Sequence, residues 1–141
     1  MSAMEPRVYQ WMYGVLSADT TIKNTFSTRI YRKSAPQTAD YPPMLIMQYM
    51  GGAEHTVTNG ISVYSGMVFM VKGTAKSGVY ASLRDGMSRV DTLLHRASGD
   101  VSGARVVWCQ KLAEIPLEPV VYSGEMYEQI ATNYRVLVHA L

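Results

Sequence analysis

The sequence predicts a small α+β domain in which a mostly antiparallel sheet packs against one long helix and a shorter N-terminal helix. From about Ser77 to Ser98, apolar residues recur at steps of three and four, the period of a helix with one buried face. Residues 44–72 contain two β-rich runs around a short turn-forming stretch, which is typical of a hairpin. From Gln129 to Ala140, apolar and polar residues alternate, so this last strand has one buried face.

Length and composition narrow the class of protein. A chain of 141 residues fits one domain, spanning 1–141, with a single core. The formal charge of +2 is too small to make nucleic-acid binding the default expectation. The chain has ten Met, ten Tyr and few charged residues. This composition is compatible with an ordinary hydrophobic core or with a surface that binds other proteins. No signal-peptide core or membrane-length apolar run is present, so we expect a soluble protein that is not secreted and has no membrane partner.

The N-terminal third is predicted to hold two helical pieces and a short strand. Pro6 suits the first turn of a helix over Glu5 to Leu16, and Asp19 suits the N-cap of a brief helical turn carrying Ile22 and Phe26. The segment Arg29 to Arg32 is expected to be extended. A polar loop, Ser34 to Asp40, and the Pro42-Pro43 pair then lead into the next strand, because consecutive prolines exclude helix.

The central hairpin is predicted to run from Met44 to Lys72. Its strands are apolar on both faces, which suits a sheet covered on both sides by helices or by a neighbouring subunit. The turn-forming stretch is expected to project beyond the sheet and to serve as a docking element. Its residues are Glu54, His55, Thr56, Val57, Thr58 and Asn59.

The C-terminal half is predicted to begin with the long helix, with Ser77 as its N-cap and Gly99 just after its end. A strand from Ala104 to Ala113 should place Val106, Trp108 and Leu112 on one side and Cys109 on the other. The proline-broken segment Glu114 to Pro119 is expected to be a loop, and Val120 to Tyr122 to pair briefly before the last strand.

No set of residues predicts catalysis, a cofactor or a metal. The stretch Gly73 to Ser77 lies between a strand and a helix, but it lacks the glycines that a phosphate-binding loop needs, and a simple turn is the preferred interpretation. His55, His95 and His139 share no metal-ligand spacing. The single cysteine, Cys109, excludes an internal disulfide and is predicted to be a small apolar filler of a strand. The chain is therefore not expected to be an enzyme.

Charge is distributed unevenly along the chain. Residues 1–35 carry five basic side chains against two acidic ones, whereas residues 112–134 carry four glutamates and no Lys or Arg. Either these are two solvated faces, or the basic face of one copy meets the acidic face of the next, as in head-to-tail rings. The candidate interface residues are Arg29, Arg32 and Lys33 on the basic side and Glu114, Glu118, Glu125 and Glu128 on the acidic side.

A resemblance to a known family is carried by short motifs: Thr28-Arg-Ile-Tyr31, Ala35-Pro-Gln37 and Tyr41-Pro-Pro-Met-Leu-Ile46. The passage resembles the tail completion, or tail terminator, family of long-tailed phages, in which a short N-terminal helix precedes it and a hairpin, a long helix and a strand-rich C-terminus follow. The order of elements matches over roughly residues 5–140.

The resemblance implies a structural protein of the virion that forms a ring, usually a hexamer, on the head-proximal end of the tail tube. Such a ring stops tube polymerisation and joins the tail to the head connector or stopper, and DNA passes through its lumen without being read. Assembly would take place in the host cytoplasm. Two alternatives stay open: another ring of the neck, such as a stopper or head-completion protein, and a small regulatory or nucleic-acid-binding domain.

Overall fold

The computed structural model describes residues 4–33, 43–56, 62–122 and 124–140, and it has the α+β architecture predicted from the sequence. Within these residues, three α-helices and seven strands follow one another. In order they are α1 (Glu5–Ser17), α2 (Thr20–Phe26), β1 (Ile30–Arg32), β2 (Met44–Thr56), β3 (Ser62–Lys76), α3 (Tyr80–Leu94), β4 (Gly99–Val101), β5 (Ala104–Pro116), β6 (Val120–Tyr122) and β7 (Glu125–Ala140).

The strands form one sheet in the order β1-β2-β3-β7-β5-β4, with β6 pairing to the start of β7. All pairs are antiparallel except β1–β2, which is parallel. The central hairpin is confirmed, since β2 and β3 pair from Met44↔Thr74 to Thr56↔Ser62. The last strand β7 lies between β3 and β5 and therefore ties the hairpin to the C-terminal strands.

The core lies between the helices and one face of the sheet. Along β7, the predicted buried face is confirmed by Thr132, Tyr134, Val136 and Val138. Opposite them, α3 buries a stripe of Leu83, Met87, Val90 and Leu94, while α1 and α2 add Val8, Met12, Leu16, Ile22 and Phe26. The ring of Tyr9 meets that of Phe69 edge-on at 5.1 Å. The helices thus cover one face of the sheet, and Val68 and Met70 on the other face stay partly exposed.

The two N-terminal helices begin as predicted. Pro6 lies in the first turn of α1, and the Asp19 carboxylate accepts a hydrogen bond from the Ile22 amide at 3.1 Å, capping α2. The short extended segment predicted near Arg29 is β1. The predicted loop Ser34 to Asp40 and Pro42 lie outside the described residues.

The long helix is shorter than the prediction at both ends. Ser77 does not cap it; residues Ser77–Val79 form a 3₁₀ turn, and the Ser77 hydroxyl instead lies 3.3 Å from the Met126 carbonyl oxygen on β7. The helix ends at Leu94 because the next residues pair with β5: the Arg96 amide donates to the Cys109 carbonyl oxygen at 2.6 Å. Gly99 therefore begins β4 and does not follow the end of a helix.

The predicted pattern of β5 is wrong because the strand contains register shifts. One shift lies between Val106 and Trp108 and a second between Lys111 and Ala113. Each shift moves the following side chains to the opposite face. Val106 and Cys109 are buried, whereas Trp108 and Leu112 are about two-fifths exposed. The strand also continues to Pro116, so that Glu114 belongs to β5 and not to a loop.

Candidate functional site

The β2–β3 ladder of the central hairpin continues past the last β3–β7 pair. The β3–β7 ladder begins at Ser65↔Val138, whereas the β2–β3 ladder continues to Thr56↔Ser62. The predicted docking residues Glu54, His55 and Thr56 are the last paired residues of β2, and Val57, Thr58 and Asn59 lie outside the described residues. The two hairpin strands thus stay paired where β3 no longer pairs with β7, and docking through this element stays a prediction.

The three predicted basic interface residues lie together at one edge of the sheet, on and around β1. The Arg29 guanidinium donates from Nε to the Pro43 carbonyl oxygen at 2.8 Å, so this side chain holds the chain at the start of β2. The guanidinium carbon of Arg32 lies 5.3 Å from the centre of the Tyr9 ring. Lys33 is exposed and has a φ of 68°, and its amide donates to the Met47 carbonyl oxygen. We call this group the basic edge.

The four predicted acidic residues lie at the other side of the sheet, around β6 and the facing ends of β5 and β7. Glu125 pairs with the Lys76 ammonium at 2.9 Å, and this ammonium lowers the pKa of the Glu125 carboxyl. Glu114 pairs with Lys111 at 3.1 Å. Glu128 accepts from the Ser77 hydroxyl at 3.4 Å, and Glu118 is exposed in the turn before β6. We call this group the acidic end.

Folding partly neutralises the acidic end. Lys76 and Lys111 come from segments outside residues 112–134, and the sheet places both ammonium groups beside glutamates of that region. The negative charge there is therefore smaller than the sequence predicts. The basic edge and the acidic end are nevertheless separated by β2 and β3, so they do not neutralise each other within one chain.

A polar cluster lies between α3 and the sheet, and sequence reasoning missed it. The Asp91 carboxylate accepts from the Lys111 ammonium at 2.8 Å and also from the Tyr134 hydroxyl. Burial, followed by the contact with Asp91, raises the pKa of Tyr134. The hydrogen bond to Asp91 likewise raises the pKa of Lys111. Both shifts favour the forms already present at neutral pH, and the hydrogen bonds of the cluster join α3 to β5 and β7.

The other residues considered for catalysis or ligand binding make contacts that stabilise the fold. The Cys109 side chain is buried in the core, and burial raises the pKa of its thiol to about 12, which makes it a poor nucleophile. His95 accepts from the Lys111 amide through Nδ1. Residues Gly73–Lys76 belong to β3 and pair with both neighbours, so no phosphate-binding loop exists there. Among the described residues, no group of three or more His, Cys, Asp and Glu side chains can hold a metal.

Several large apolar side chains are exposed, and the sequence did not single them out. On β6 and the start of β7, Val121 is 69% exposed and Met126 is 51% exposed. Others lie on β5 and at the β2 bulge: Val107, Trp108, Leu112 and Met50. One signal in the sequence marks the β6–β7 pair. It is the apolar run Val120 to Tyr122, which lies beside Gly124 and between Glu118 and Glu125. None of the described helices is long and apolar enough to cross a membrane.

Comparisons with known proteins identify the fold and no family. No protein-family model matches the chain, and no curated protein matches it. A chain in the solved structure "Virion of native gene transfer agent (GTA) particle" is 18% identical, with a TM-score of 0.73 over 92% of each chain. A chain in a second solved structure is also 18% identical, with a TM-score of 0.51 over 96% of this chain and 91% of the other. Over nearly its whole length, this chain therefore shares the fold of a chain from a gene transfer agent virion.

Proposed function

We propose that this chain is a structural protein of a phage-like virion, a tail terminator that acts through its surfaces and catalyses no reaction. The observation that carries the proposal is the fold likeness to a chain of a gene transfer agent virion, which extends over 92% of both chains. The order of a short helix, a hairpin, a long helix and a strand-rich C-terminus supports the terminator in particular, because the resembling phage family has that order.

The terminator forms a ring, as a hexamer, by head-to-tail contact between copies. Its support is the placement of the basic edge and the acidic end on opposite sides of the sheet, three to four strand spacings or roughly 14–19 Å apart. A contact between two different patches of one chain leaves both patches free at the ends of a dimer, so further copies add until the rotation closes the ring.

The ring has two different faces, because one face must bind the tail tube and the other must not bind further tube subunits. The end of the central hairpin is the docking element toward the tube or the head connector. Its support is the continuation of the β2–β3 ladder past Ser65↔Val138, the last pair between β3 and β7. DNA passes through the lumen without being read, as the resemblance to the tail terminator family implies.

A second candidate is another ring of the neck, such as a stopper or head-completion protein. The fold likeness supports it equally, because it is a likeness to a chain of a virion and does not depend on a position within the particle. Both candidates share a site of action in the particle and assembly in the host cytoplasm. They differ in which surface of the particle the ring binds.

The test is to add the purified protein to tails and, separately, to DNA-filled heads, each from particles assembled without it, and to image both by electron microscopy. A tail terminator should form rings on the head-proximal ends of tails and leave heads bare. Binding to heads alone would identify the second candidate. A protein that binds neither, or that binds free DNA in a strongly salt-dependent manner, would contradict both.

A further inference from the structure

We propose that the apolar corner of the β6–β7 hairpin of one copy packs into a cleft between α1, α2 and β1 of a neighbouring copy. The apolar corner consists of Val121 and Met126. The cleft is lined by Tyr13, Ser17, Lys23, Ser27, Thr28 and Ile30. The inference rests on the proposed function in one respect: it takes the neighbour to be a second copy of this chain.

The apolar corner is exposed and yet held in a defined position. Val121 and Met126 are directly paired across the hairpin, so their side chains lie side by side on one face. The next pair, Val120↔Tyr127, anchors the hairpin through the buried Tyr127 side chain. The Lys76–Glu125 ion pair and the hydrogen bond from Ser77 to the Met126 carbonyl oxygen join the hairpin to the end of β3.

The cleft has the size and chemistry to receive this corner. Its volume is about 270 Å³, and it opens between the C-terminal half of α1 and the start of β1. A cavity of about 150 Å³ already holds a benzene molecule, so two aliphatic side chains fit. Ile30 forms a buried floor, and Tyr13, which is 46% exposed, forms an apolar wall.

Charge complementarity identifies the occupant as a second copy. Lys23 lines the cleft, and the basic edge, residues Arg29, Arg32 and Lys33, continues from it along the chain. The apolar corner is bordered on both sides by the acidic end, with Glu118 before it and Glu125 and Glu128 after it. An apolar contact inside a rim of opposite charges is the usual arrangement of a specific interface.

The geometry excludes the same contact within one chain and favours propagation between copies. The corner pairs with the start of β7, and the cleft lies beside β1, with β2 and β3 between the two strands. Each copy therefore offers one corner and one cleft, which is a heterologous contact. The corner alone is smaller than a standard interface, so it acts as the central anchor of a larger contact between subunits.

Disulfide trapping tests the contact directly. The only native cysteine, Cys109, is buried, so engineered cysteines dominate the oxidation products. A variant with both Ser17→Cys and Val121→Cys should give, after mild oxidation, a ladder of covalent oligomers on a non-reducing gel. A mixture of the two single variants should stop at dimers, and each single variant alone should stay monomeric. A double variant that gives no ladder would overturn the contact.

A second measurement distinguishes a failure of this contact from a failure of the proposal that the protein forms a ring. Val121→Asp should lower the solution mass to that of the monomer by light scattering, whereas the matched control Val107→Asp, at another exposed strand position, should leave the mass unchanged. If wild-type protein forms rings that Val121→Asp does not disturb, the contact is wrong and the ring proposal stands. If Val121→Asp rings form but no longer cap tails, the corner binds the tube protein, and the contact between copies is again wrong. Wild-type protein that stays monomeric both alone and on tails contradicts the ring.

Discussion

The packing of α2 on α3 depends on the absence of a side chain at Gly86. A Cβ at this position would lie 2.8 Å from Phe26 Cε2 and 2.9 Å from Thr25 Cγ2. Phe26 is fully buried and its ring is rigid, so it cannot yield by rotating a flexible end. Gly14 in α1 is the opposite case, because nothing lies within 4 Å of its Cβ position.

We expect Gly86→Ala to destabilise the protein and Gly14→Ala to stabilise it. Both gain helix propensity, worth about 1 kcal/mol, but overpacking at Gly86 costs about 1–3 kcal/mol. The free energy of unfolding should therefore rise by up to about 1 kcal/mol in Gly14→Ala and fall by about 1 kcal/mol in Gly86→Ala. Urea unfolding measures both. Equal stabilisation in the two variants would mean that α2 does not pack closely on α3.

Asp19 has two partners, since it caps α2 and binds the Arg89 guanidinium of α3 at 2.7 Å. The hydrogen bond from Arg89 is the main cause that lowers the pKa of Asp19; burial opposes it, and the Ile22 amide adds to the lowering. A carboxyl whose pKa is lower in the folded state stabilises the fold above its unfolded pKa. That contribution is lost as the pH falls through the folded value.

Asp19→Ala should cost about 1 kcal/mol at pH 7, because the cap is lost. Asp19→Asn keeps an acceptor for the Ile22 amide and should cost less. The stability difference between wild type and Asp19→Asn should shrink as the pH falls through about 4 and below, where the carboxyl takes up its proton. Urea unfolding over a pH series checks the sign. A difference that grows toward acid would exclude the Asp19–Arg89 interaction as its source.

At the scale of elements, α3 is attached to the sheet by both apolar packing and one polar cluster. The Asp91 carboxylate bonds Lys111 of β5 and Tyr134 of β7, two strands that are neighbours in the sheet. Tyr134 is fully buried, and α3 brings the Asp91 carboxylate over β7, where it accepts a hydrogen bond from the Tyr134 hydroxyl. The cluster therefore sets where α3 lies along the two strands.

Removing the Asp91 carboxylate should cost about 2 kcal/mol, because the buried Tyr134 hydroxyl loses the acceptor of its hydrogen bond. In a double-mutant cycle, Asp91→Ala and Tyr134→Phe should be coupled by about 1 kcal/mol. The control Asp85→Ala, on the exposed side of α3, should change stability by less than about 0.5 kcal/mol. Strict additivity of the two substitutions would show that the cluster does not join α3 to β7.

At the scale of the whole molecule, opposite charges lie at opposite sides of one sheet. This separation allows the basic edge of one copy to meet the acidic end of the next, as proposed above. The sequence predicted two charged regions but left open whether they were solvated faces or an interface, because separation along the chain does not fix separation in space.

Arg32→Glu combined with Lys33→Glu should dissociate the ring, since like charges would then meet across the contact. The combined Arg84→Glu and Arg96→Glu variant makes the same change in net charge at exposed positions away from the basic edge. It should keep the wild-type mass in light scattering. Because Arg32 lies over the Tyr9 ring, the unfolding of the first variant should be measured as well. A folded first variant with an unchanged mass would remove the basic edge from the interface.

The part of the fold that depends on local pattern was predicted from the sequence. Helical periodicity marked α1 and the buried stripe of α3, the Asp19 signal marked α2, and strict alternation identified the inward face of β7. The central hairpin was also predicted, since its two strands are neighbours along the chain. In each case the determining interactions join residues a few positions apart, and such interactions are visible in the order of residues alone.

The features that only the tertiary structure decided depend on contacts between residues far apart in the chain. Ser77 bonds β7 and does not cap α3, and α3 ends at Leu94 because the following backbone pairs with β5. The register shifts of β5 exposed Trp108, and the ammonium of Lys76 reached Glu125 across the sheet. The apolar corner and the cleft likewise come from opposite ends of the chain. The sequence determines the elements through local periodicity, while long-range pairing determines where they end and which surfaces they form.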